Sequence, residues 1–416
     1  MTVMNTINKS KNIFTVIDVG NSKVSCLIGT SVKTNDIQIK ALGFGQHASL
    51  GINNGQVTDM KEIVNSIARA VEGAEIMAGF PINNVVCSLS GGRPITKIVK
   101  NKLKIENGRV EKSDILKILK VKNIPLIDNY EILSSSVIKY YIDKNTTLDN
   151  PIGIFTNDLT VELSYTYGKK SVIKNISSAI NLCHLNVEKF FICPEASGVS
   201  TMVQDERANG AIVIDLGANI TSFGVFLNNK IVFSDSIPIG GLHITSDIVR
   251  GLGTKSEDAE KLKILHGSTL SHETDEYINL DVPIISDQGE IITQQIPKAM
   301  LTAIIKPRVE EIFELVQERL NQFKQKYINK IILCGGGANL NNIRELASKH
   351  FQSTVRIGRP IGLIDLPEIV QSPTFSCLTG LLIKSFEKEI NLTPKKLNIE
   401  LFNYFGKIGN WFDQNL

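Results

Sequence analysis

Three short motifs in this sequence combine a hydrophobic run with a glycine turn, and two of them also contain an aspartate. They read FTVIDVGNSK at 14–23, AIVIDLGANITS at 211–222 and IILCGGGAN at 331–339. In the first two, Asp18 or Asp215 ends a predicted strand and is followed two residues later by glycine. Because glycine has no side chain, the backbone of such a turn can approach an anion and bind it through N–H groups. Two near-copies followed by a third glycine motif therefore indicate a nucleotide cleft.

The first two motifs have the chemistry to bind a polyphosphate together with Mg²⁺. We expect Asp18 and Asp215 to hold the ion through water, as hard carboxylates do, so no direct metal ligand is predicted. The other predicted phosphate contacts are Gly20, Asn21, Ser22, Lys23, Gly217, Ala218, Asn219 and Thr221. Either motif alone is equally compatible with an ordinary hairpin in which Asp and Asn form the turn. The ordered trio favours the nucleotide interpretation.

The three motifs in this order resemble the nucleotide cleft of the actin-like ATPases, and this resemblance implies that the third motif contacts the adenosine part of ATP rather than its phosphates. It lacks the G-x-G-x-x-G spacing of a dinucleotide fold and the G-K-[ST] ending of a P-loop. Three consecutive glycines present a flat backbone to a flat ring. The predicted adenosine contacts are Gly335, Gly336, Gly337 and Asn339. Glu260 and Lys263 lie on one face of a predicted helix, where the residues alone favour a solvated ion pair. The resemblance implies instead that they contact the ribose and adenine.

The composition is that of a folded protein with more than one domain. The chain has 416 residues, 42% of them apolar and 21% charged, which is too long for one ordinary core. A net charge of only +3, without a basic block, argues against a nucleic-acid partner. The cysteines form no C-x-x-C pair and the histidines no metal-ligand spacing, so we expect buried, reduced thiols. No stretch approaches the ~18 apolar residues of a spanning helix, and the protein is expected on the cytoplasmic side of the membrane.

Hydrophobic patterns place the motifs on strands of two repeated units. The predicted strands are 14–19, 24–29, 36–45 and 84–90 in the first half and 211–215, 221–227 and 230–237 in the second. Two helices and a polar loop are predicted between Gly241 and Pro297, and then a long helix over 297–327. Residues 85–167 change character and indicate a separate small α/β unit inserted in the first domain. The duplication predicts two stacked α/β domains with a cleft between them.

The segment from Ile239 to Lys263, IGGLHITSDIVRGLGTKSEDAEKLK, resembles the FtsA family of bacterial actin-like division proteins. NPIG at 150–153, KPR at 306–308 and RIGRP at 356–360 resemble the same family, so that the resemblance covers about 13–416. The block from TSDI to DAE and the inserted unit are its specific parts. MreB and the DnaK-type chaperones share only the glycine motifs.

This resemblance implies an α/β, actin-like two-domain fold: duplicated mixed-sheet cores around a nucleotide cleft, an FtsA-type inserted subdomain and a C-terminal amphipathic helix. The expected division of the chain follows from it. The first core subdomain is 13–84 and 168–195 with part of about 360–389, the inserted subdomain 85–167, the second core subdomain 196–235 and 306–359, the small lobe 236–305, the linker 390–400 and the membrane helix 401–416.

By the same resemblance, the protein binds ATP and Mg²⁺, polymerises, and anchors the FtsZ ring to the inner face of the cytoplasmic membrane at the septum. It would also help to recruit later divisome proteins. The lobe 236–305 would receive the C-terminal tail of FtsZ, and Arg308 matches a basic family position near that surface. A structural arginine is an equally good interpretation of Arg308. The inserted subdomain would take part in filament contacts.

Two departures from the family pattern concern the nucleotide. Relatives usually have glycines after the second Asp-x-Gly, where this chain has Ala218 and Asn219. Because Asn tolerates positive φ, we expect the turn to survive. DnaK-type and MreB-type ATPases place an acid directly before the proline of the connecting motif, where this chain has Cys193 before Pro194. A thiol is a poor substitute for that base, so we expect ATP binding with slow or undetectable hydrolysis rather than an enzyme.

The last residues have the pattern of an interfacial amphipathic helix. At about 100° per residue, one face collects apolar side chains, including the only tryptophan of the chain as a membrane anchor. These side chains are Leu401, Phe402, Tyr404, Phe405, Ile408, Trp411, Phe412 and Leu416. The other side carries Asn403, Lys407, Asn410, Asp413 and Gln414. A terminal helix packed on the protein's own core is the alternative.

Other members of the same ATPase superfamily are the alternatives for function. A sugar- or acetate-type kinase, or a phosphatase, needs a positioned catalytic base and a substrate pocket, and the sequence shows no such constellation. A chaperone-like ATPase needs a substrate-binding domain after residue 390, where this sequence has only residues 391–416.

Overall fold

A computed structural model describes residues 13–33, 37–120, 124–143, 146–285, 290–323 and 328–386 of the chain. The predicted linker 390–400 and the predicted membrane helix 401–416 lie outside the described residues. No helix in the described ranges is long and apolar enough to cross a membrane.

The chain opens on an antiparallel hairpin that contains the first glycine motif. The first elements are β1 (Ile13–Val19), β2 (Lys23–Lys33), β3 (Ile37–Ala48), β4 (Ile52–Asn53), β5 (Gln56–Val57), α1 (Met60–Ala78) and β6 (Asn84–Leu89). Strands β1 and β2 pair along the whole of β1, so Gly20 lies in the turn that joins them. Helix α1 begins after Asp59, whose carboxylate accepts a hydrogen bond from the backbone N–H of Lys61 at 2.9 Å. Its apolar face packs on the sheet and so fixes the hairpin from one side.

A second, antiparallel sheet is inserted after β6. Its elements are β7 (Ile95–Lys104), α2 (Lys112–Leu119), β8 (Tyr130–Ile142), β9 (Thr146–Leu148) and β10 (Asp158–Lys169). The strand order is β7-β10-β8-β9, and the unit has its own hydrophobic core. Arg93 joins it to the second half of the chain, since its guanidinium contacts the Asp235 carboxylate at 2.6 and 2.8 Å. The Ser164 hydroxyl also donates to the Ile231 carbonyl at 2.6 Å.

The second half of the chain contains another large sheet, which repeats the topology of the first. Its elements, with those that lead into it, are α3 (Lys170–Leu182), β11 (Asn186–Ile192), α4 (Cys193–Thr201), α5 (Gln204–Asn209), β12 (Ala211–Leu216), β13 (Thr221–Leu227), β14 (Lys230–Ile237), α6 (Gly241–Leu252), α7 (Ser256–His266), β15 (Asn279–Ile285), β16 (Ile291–Pro297), α8 (Lys298–Leu320), β17 (Lys330–Cys334), α9 (Ile343–Phe351), β18 (Thr354–Ile357), β19 (Leu363–Ile364) and α10 (Ser376–Phe386). Short 3-10 helices lie at Glu273–Glu276, Gly336–Asn339, Glu368–Gln371 and Pro373–Phe375.

The two large sheets have the same topology. In the order β14-β13-β12-β17-β18, the first two pairings are antiparallel and the last two are parallel. The order β3-β2-β1-β6-β11 shows the same directions, and β19 extends it by pairing parallel to β3. The predicted duplication is therefore confirmed, and β1 and β12 occupy equivalent central positions.

The region before α8 differs from the sequence-based expectation. The predicted polar loop contains a hairpin of β15 and β16, in which Leu280, Val282 and Ile296 are buried. Pro283 within the strand weakened the strand pattern in the sequence. Helix α8 begins at Lys298, close to the predicted start, but ends at Leu320 rather than at 327.

Helices α4 and α10 touch through their backbones at Gly380. A Cβ at this position would lie 1.8 Å from the carbonyl oxygen of Ala196, which close packing cannot accommodate without moving a helix. We expect Gly380→Ala to lower the free energy of unfolding by about 3 kcal/mol or more, at the upper end of overpacking effects. Urea denaturation followed by circular dichroism measures this. Gly251→Ala is the matched control, because its methyl would meet only the flexible end of Ile304 at 2.7 Å; equal losses in both variants would contradict the packing argument.

Candidate functional site

The three glycine motifs meet at one cleft between the two large sheets, with a volume of ≈ 490 Å³, within the usual size of small-molecule sites. The predicted residues that line it are Asp18, Gly20, Asn21, Ser22, Lys23, Asp215, Gly217, Ala218, Glu260, Lys263, Gly335, Gly336, Gly337 and Asn339. Asn219 and Thr221 are held by other protein groups instead. The Asn219 amide donates to Asn53 Oδ1 at 2.8 Å, and the buried Thr221 hydroxyl donates to the Ile239 carbonyl at 2.8 Å. Their side-chain donors therefore bind protein groups outside the cleft lining, while Asn219 Oδ1 is buried without a hydrogen-bond partner.

The two aspartate motifs form the same tight turn. The N–H of Gly20 donates to the Lys23 carbonyl, and that of Gly217 to the Ile220 carbonyl, both at 3.0 Å. A Cβ would lie 2.9 Å from the Lys23 oxygen in the first turn and 2.6 Å from the Ile220 oxygen in the second, so each turn needs its glycine. Asn219 is not among the described residues that have a positive φ. The second turn thus survives as expected, but it does not depend on Asn219 adopting positive φ.

Several cleft residues were not predicted from the sequence. They are Ser90, Ile220, Ser222, Gly241, Leu242, Ile244, Ile264, Leu340, Thr374 and Cys377. Gly241 begins α6 after a second glycine, and this glycine pair before a helix N-terminus is a recognisable anion-site signal. Thr374 and Cys377 come from the start of α10 and its preceding turn, where no motif marks them.

Burial perturbs the ionisable groups at the floor of the cleft. It raises the pKa of Asp18 and raises that of Asp215 to about 6, although the Ser197 hydroxyl, at 2.6 Å from the Asp215 carboxylate, acts in the opposite direction. Burial also lowers the pKa of Lys23 to about 8, against the charge of Asp18. The Lys23 ammonium lies 4.0 Å from the centre of the Phe375 ring. The two carboxylates and the ammonium group of Lys23 are buried and lack the water that normally surrounds a charge. Such a site favours a charged ligand, such as a polyphosphate with Mg²⁺.

The third motif forms another wall of the cleft. Gly335 has φ 81° and ψ 174°, a conformation essentially reserved for glycine, and a Cβ there would lie 2.4 Å from Asp215 Oδ1. A Cβ at Gly336 would meet nothing within 4 Å, so its backbone is open to the cleft. The Asn339 amide donates to the Gly336 carbonyl at 3.2 Å and to Thr374 Oγ1 at 3.0 Å. The motif therefore presents a flat and well-anchored surface.

Glu260 and Lys263 form an ion pair at 2.7 Å in the cleft wall. The pair is not the solvated one considered as an alternative, because only 11% of the Lys263 side chain is exposed. Lys263 also donates to the Gly241 carbonyl at 2.9 Å and to Thr245 Oγ1 at 2.8 Å, and Thr245 in turn contacts Glu260. This network links α6 and α7 at the cleft. Contacts of the pair with ribose and adenine stay a prediction.

Cys193 is the first residue of α4 and lies in the cleft lining, directly before Pro194. The nearest acid along the chain, Glu195, is buried and lies 3.4 Å from the Lys384 ammonium. It does not belong to the cleft lining. The acids among the described lining residues are Asp18, Asp215 and Glu260.

Arg308 is bound by acidic side chains of its own chain. Its guanidinium contacts the Asp247 carboxylate at 2.6 and 3.0 Å and also contacts Glu311. A quarter of its side chain, 25%, is exposed. These contacts hold α8 against α6 and support the structural interpretation, while the predicted contact of Arg308 with a partner stays a prediction.

We expect the affinity for Mg-ATP to fall when the pH is lowered from about 7.5 to about 5.5, because a carboxylate with a pKa near 6 loses its charge in this range. Stability of the nucleotide-free fold should change in the opposite direction. The pKa of Asp215 is raised in the folded state, so its charged form destabilises the fold at neutral pH. This destabilisation is removed when the carboxylate takes up a proton as the pH falls through about 6.

Titration calorimetry at several pH values measures the affinity. Since the phosphates also titrate, Asp215→Asn is measured in parallel and should show a flatter dependence than the wild type. Identical pH profiles for the two proteins would contradict the assignment to Asp215.

Comparison with known proteins gives matches over nearly the whole chain. The family model described as "Cell division protein FtsA" matches residues 212–380, and the model described as "SHS2 domain inserted in FTSA" matches residues 91–166. The cell division protein FtsA of Rhizobium meliloti (strain 1021) is 30% identical over 98% of this chain and 96% of its own length. That of Escherichia coli (strain K12) is 26% identical over 95% of this chain and 96% of its own length.

Two solved structures show the same fold at low sequence identity. The PilM-PilN type IV pilus biogenesis complex is similar with a TM-score of 0.61 and 14% identity, covering 90% of this chain and 98% of that chain. MreB5 of Spiroplasma citri bound to ADP is similar with a TM-score of 0.55 and 14% identity, covering 91% of this chain and 97% of that chain. Together with the match of the inserted unit, these similarities confirm the predicted two-domain actin-like fold.

Proposed function

Because the chain belongs to the FtsA family of cell division proteins, we propose that it is an ATP-binding, actin-like protein that anchors the FtsZ ring to the membrane. It acts as a polymer on the inner face of the cytoplasmic membrane at the septum, and helps to recruit later divisome proteins. The observation that carries the proposal is the convergence of three glycine motifs on one cleft between two copies of one sheet. A duplicated sheet around a glycine-lined cleft is suited to bind a nucleotide between two domains.

The residues of the cleft fit ATP and Mg²⁺. Asp18 and Asp215 lie together at its floor with raised pKa values, so a nearby cation would restore their charge. Asp18 and Asp215 would hold Mg²⁺ through water, and the ion would neutralise phosphate charge. The turns after β1 and β12 offer N–H donors, and Lys23 adds a positive charge. The adenosine would lie against residues 335–337, and closure of the two domains around the nucleotide would favour head-to-tail polymerisation.

We expect the protein to bind ATP but to hydrolyse it slowly or undetectably. Cys193 stands where related ATPases carry an acid, and a buried thiol is a weak base toward water. Glu195 is held away from the cleft by Lys384. A phosphate-release assay on the purified protein without partners measures turnover, and titration calorimetry confirms that the same sample binds ATP. Turnover of several ATP molecules per minute would contradict the expectation.

The lobe 236–305 is proposed to receive the C-terminal tail of FtsZ. It contains α6, α7 and the hairpin of β15 and β16, and it exposes large apolar side chains to solvent. Tyr277 is 84% exposed, Ile291 59% and Ile292 46%. Helix α8, which carries Arg308, packs against α6 and β16. These exposed apolar side chains support binding of a peptide that carries apolar residues.

The membrane anchor is proposed for the segment with Leu401, Phe402, Phe405, Ile408, Trp411 and Phe412, which lies outside the described residues. Few charges accompany this apolar face, so burial of apolar surface rather than attraction to anionic lipid is expected to dominate binding. One such helix binds weakly. A polymer presents many of them at once and gains avidity.

Electron microscopy on lipid monolayers tests the proposed nucleotide-dependent polymer on the membrane. With Mg-ATP the full-length protein should form filaments on the lipid, and the nucleotide-free protein should form fewer. Protein that does not associate with lipid, or that stays unpolymerised on lipid in every nucleotide state, would overturn the proposal.

A further inference from the structure

Two cysteines and an aspartate converge at the floor of the cleft from three separate elements. Asp18 lies near the end of β1, Cys193 is the first residue of α4, and Cys377 is the second residue of α10. The two sulfur atoms and a carboxylate oxygen lie within 4.8 Å of one another. All three residues line the cleft, although the two cysteines are only 7% and 5% exposed. An ion that enters the cleft can therefore reach all three donors.

We propose that Asp18, Cys193 and Cys377 bind one thiophilic divalent cation, for which Zn²⁺ is the best match. Zn²⁺ takes tetrahedral sets of sulfur and oxygen donors, with Zn–S distances of about 2.3 Å and Zn–O distances of about 2.0–2.2 Å. Donors within 4.8 Å of one another can surround one such ion after small side-chain rotations. Three protein donors leave the fourth position open toward the cleft.

Asp18 belongs both to this site and to the predicted Mg²⁺ position, but the other donors differ. Mg²⁺ demands oxygen ligands and keeps most of its water, whereas thiolates select soft and borderline ions such as Zn²⁺. Cys193 also stands where related ATPases carry an oxygen donor. The two neighbouring sulfur donors give the floor of the cleft a preference for thiophilic metals.

The binding step releases protons. Without metal, the hydrogen bond with Cys193 and burial both raise the pKa of the Cys377 thiol, so this group is protonated near neutral pH. When Zn²⁺ binds, each thiol gives its proton to solvent as its Zn–S bond forms, and the charge of the ion replaces the charge of the lost protons.

Cobalt is the probe, because Co²⁺ replaces Zn²⁺ and gives visible d–d and near-ultraviolet thiolate charge-transfer absorption. The full-length, reduced, nucleotide-free protein is titrated with Co²⁺ under anaerobic conditions. We expect one equivalent to produce the bands of a tetrahedral thiolate site, and Zn²⁺ to abolish them by displacement. Absence of charge-transfer absorption, or bands of an octahedral ion alone, would overturn the proposal.

Variants assign the ligands. Cys193→Ser and Cys377→Ser should each weaken Co²⁺ binding by about 100-fold or more, since even outer-shell changes cost 10–100-fold in metal affinity. Cys183→Ser is the matched control, because Cys183 lies outside the cleft lining, after α3, and this variant should keep the bands. Cys193→Ala and Cys377→Ala serve if a serine variant unfolds, as judged by circular dichroism. Bands that persist in a folded variant of either cleft cysteine would overturn the assignment.

Discussion

Replacing Trp411 and Phe412 by glutamate should weaken binding to lipid vesicles by about 100-fold or more. Burial of one large apolar side chain contributes about 1.5–3 kcal/mol, and two such losses correspond to two or more factors of ten. The added charges would also have to enter the headgroup boundary. Co-sedimentation with vesicles of mixed neutral and anionic lipid measures the bound fraction.

The control variant carries two glutamates on the opposite, polar side of the predicted helix. Asn410→Glu and Gln414→Glu together should leave most of the vesicle binding in place, and Trp411 emission should still shift to the blue when lipid is added. If the control loses as much binding as the apolar-face variant, net charge rather than apolar burial governs binding. If neither loses binding, the anchor lies elsewhere in the chain.

Gly335→Ala should remove most of the Mg-ATP affinity and also lower the stability of the protein. The backbone at this position adopts φ 81° and ψ 174°, which costs a non-glycine residue about 1–3 kcal/mol. The new methyl would stand 2.4 Å from Asp215 Oδ1 and 2.7 Å from the Leu216 carbonyl oxygen. Because the carboxylate of Asp215 must then move, we expect an affinity loss of about 100-fold, the equivalent of about 2.8 kcal/mol.

Gly336→Ala is the matched control for Gly335→Ala. Its methyl meets no protein atom within 4 Å, so thermal unfolding should occur at the wild-type temperature. If adenosine lies against this backbone, the variant should bind ATP more weakly although its fold is intact. Calorimetric titration with ATP and a thermal melt distinguish the two effects. Wild-type ATP affinity in a folded Gly335→Ala protein would contradict the position assigned to the phosphates and the metal.

The cleft walls formed by the glycine motifs can be predicted because each motif is one short, continuous stretch of the sequence. The steps from Asp18 to Gly20 and from Asp215 to Gly217 repeat one strand-and-turn pattern, and a repeated pattern predicts a repeated sheet. The structure shows the repeated sheet with equivalent strand directions. The hydrogen bond that closes the turn is also the same, at 3.0 Å in both.

The remainder of the site depends on contacts between segments that are distant in the chain. Cys193 and Cys377 have no metal-ligand spacing in the sequence, and only the packing of α4 on α10 brings them together at the cleft floor. The burial of Lys263 is set by α6, which packs beside α7. Asn219 has the residue type of a phosphate contact, but Asn53 at the end of β4 accepts a hydrogen bond from its amide. No short stretch of the sequence predicts these contacts between distant segments.

Flotation of FtsZ with vesicles tests whether this protein links FtsZ to the membrane. FtsZ is mixed with vesicles of neutral and anionic lipid and Mg-ATP, with or without this protein, and the vesicles are separated on a density gradient. We expect FtsZ to float only with this protein present, and FtsZ without its C-terminal tail not to float. FtsZ that stays at the bottom of the gradient while this protein floats would show that this protein does not link FtsZ to the membrane.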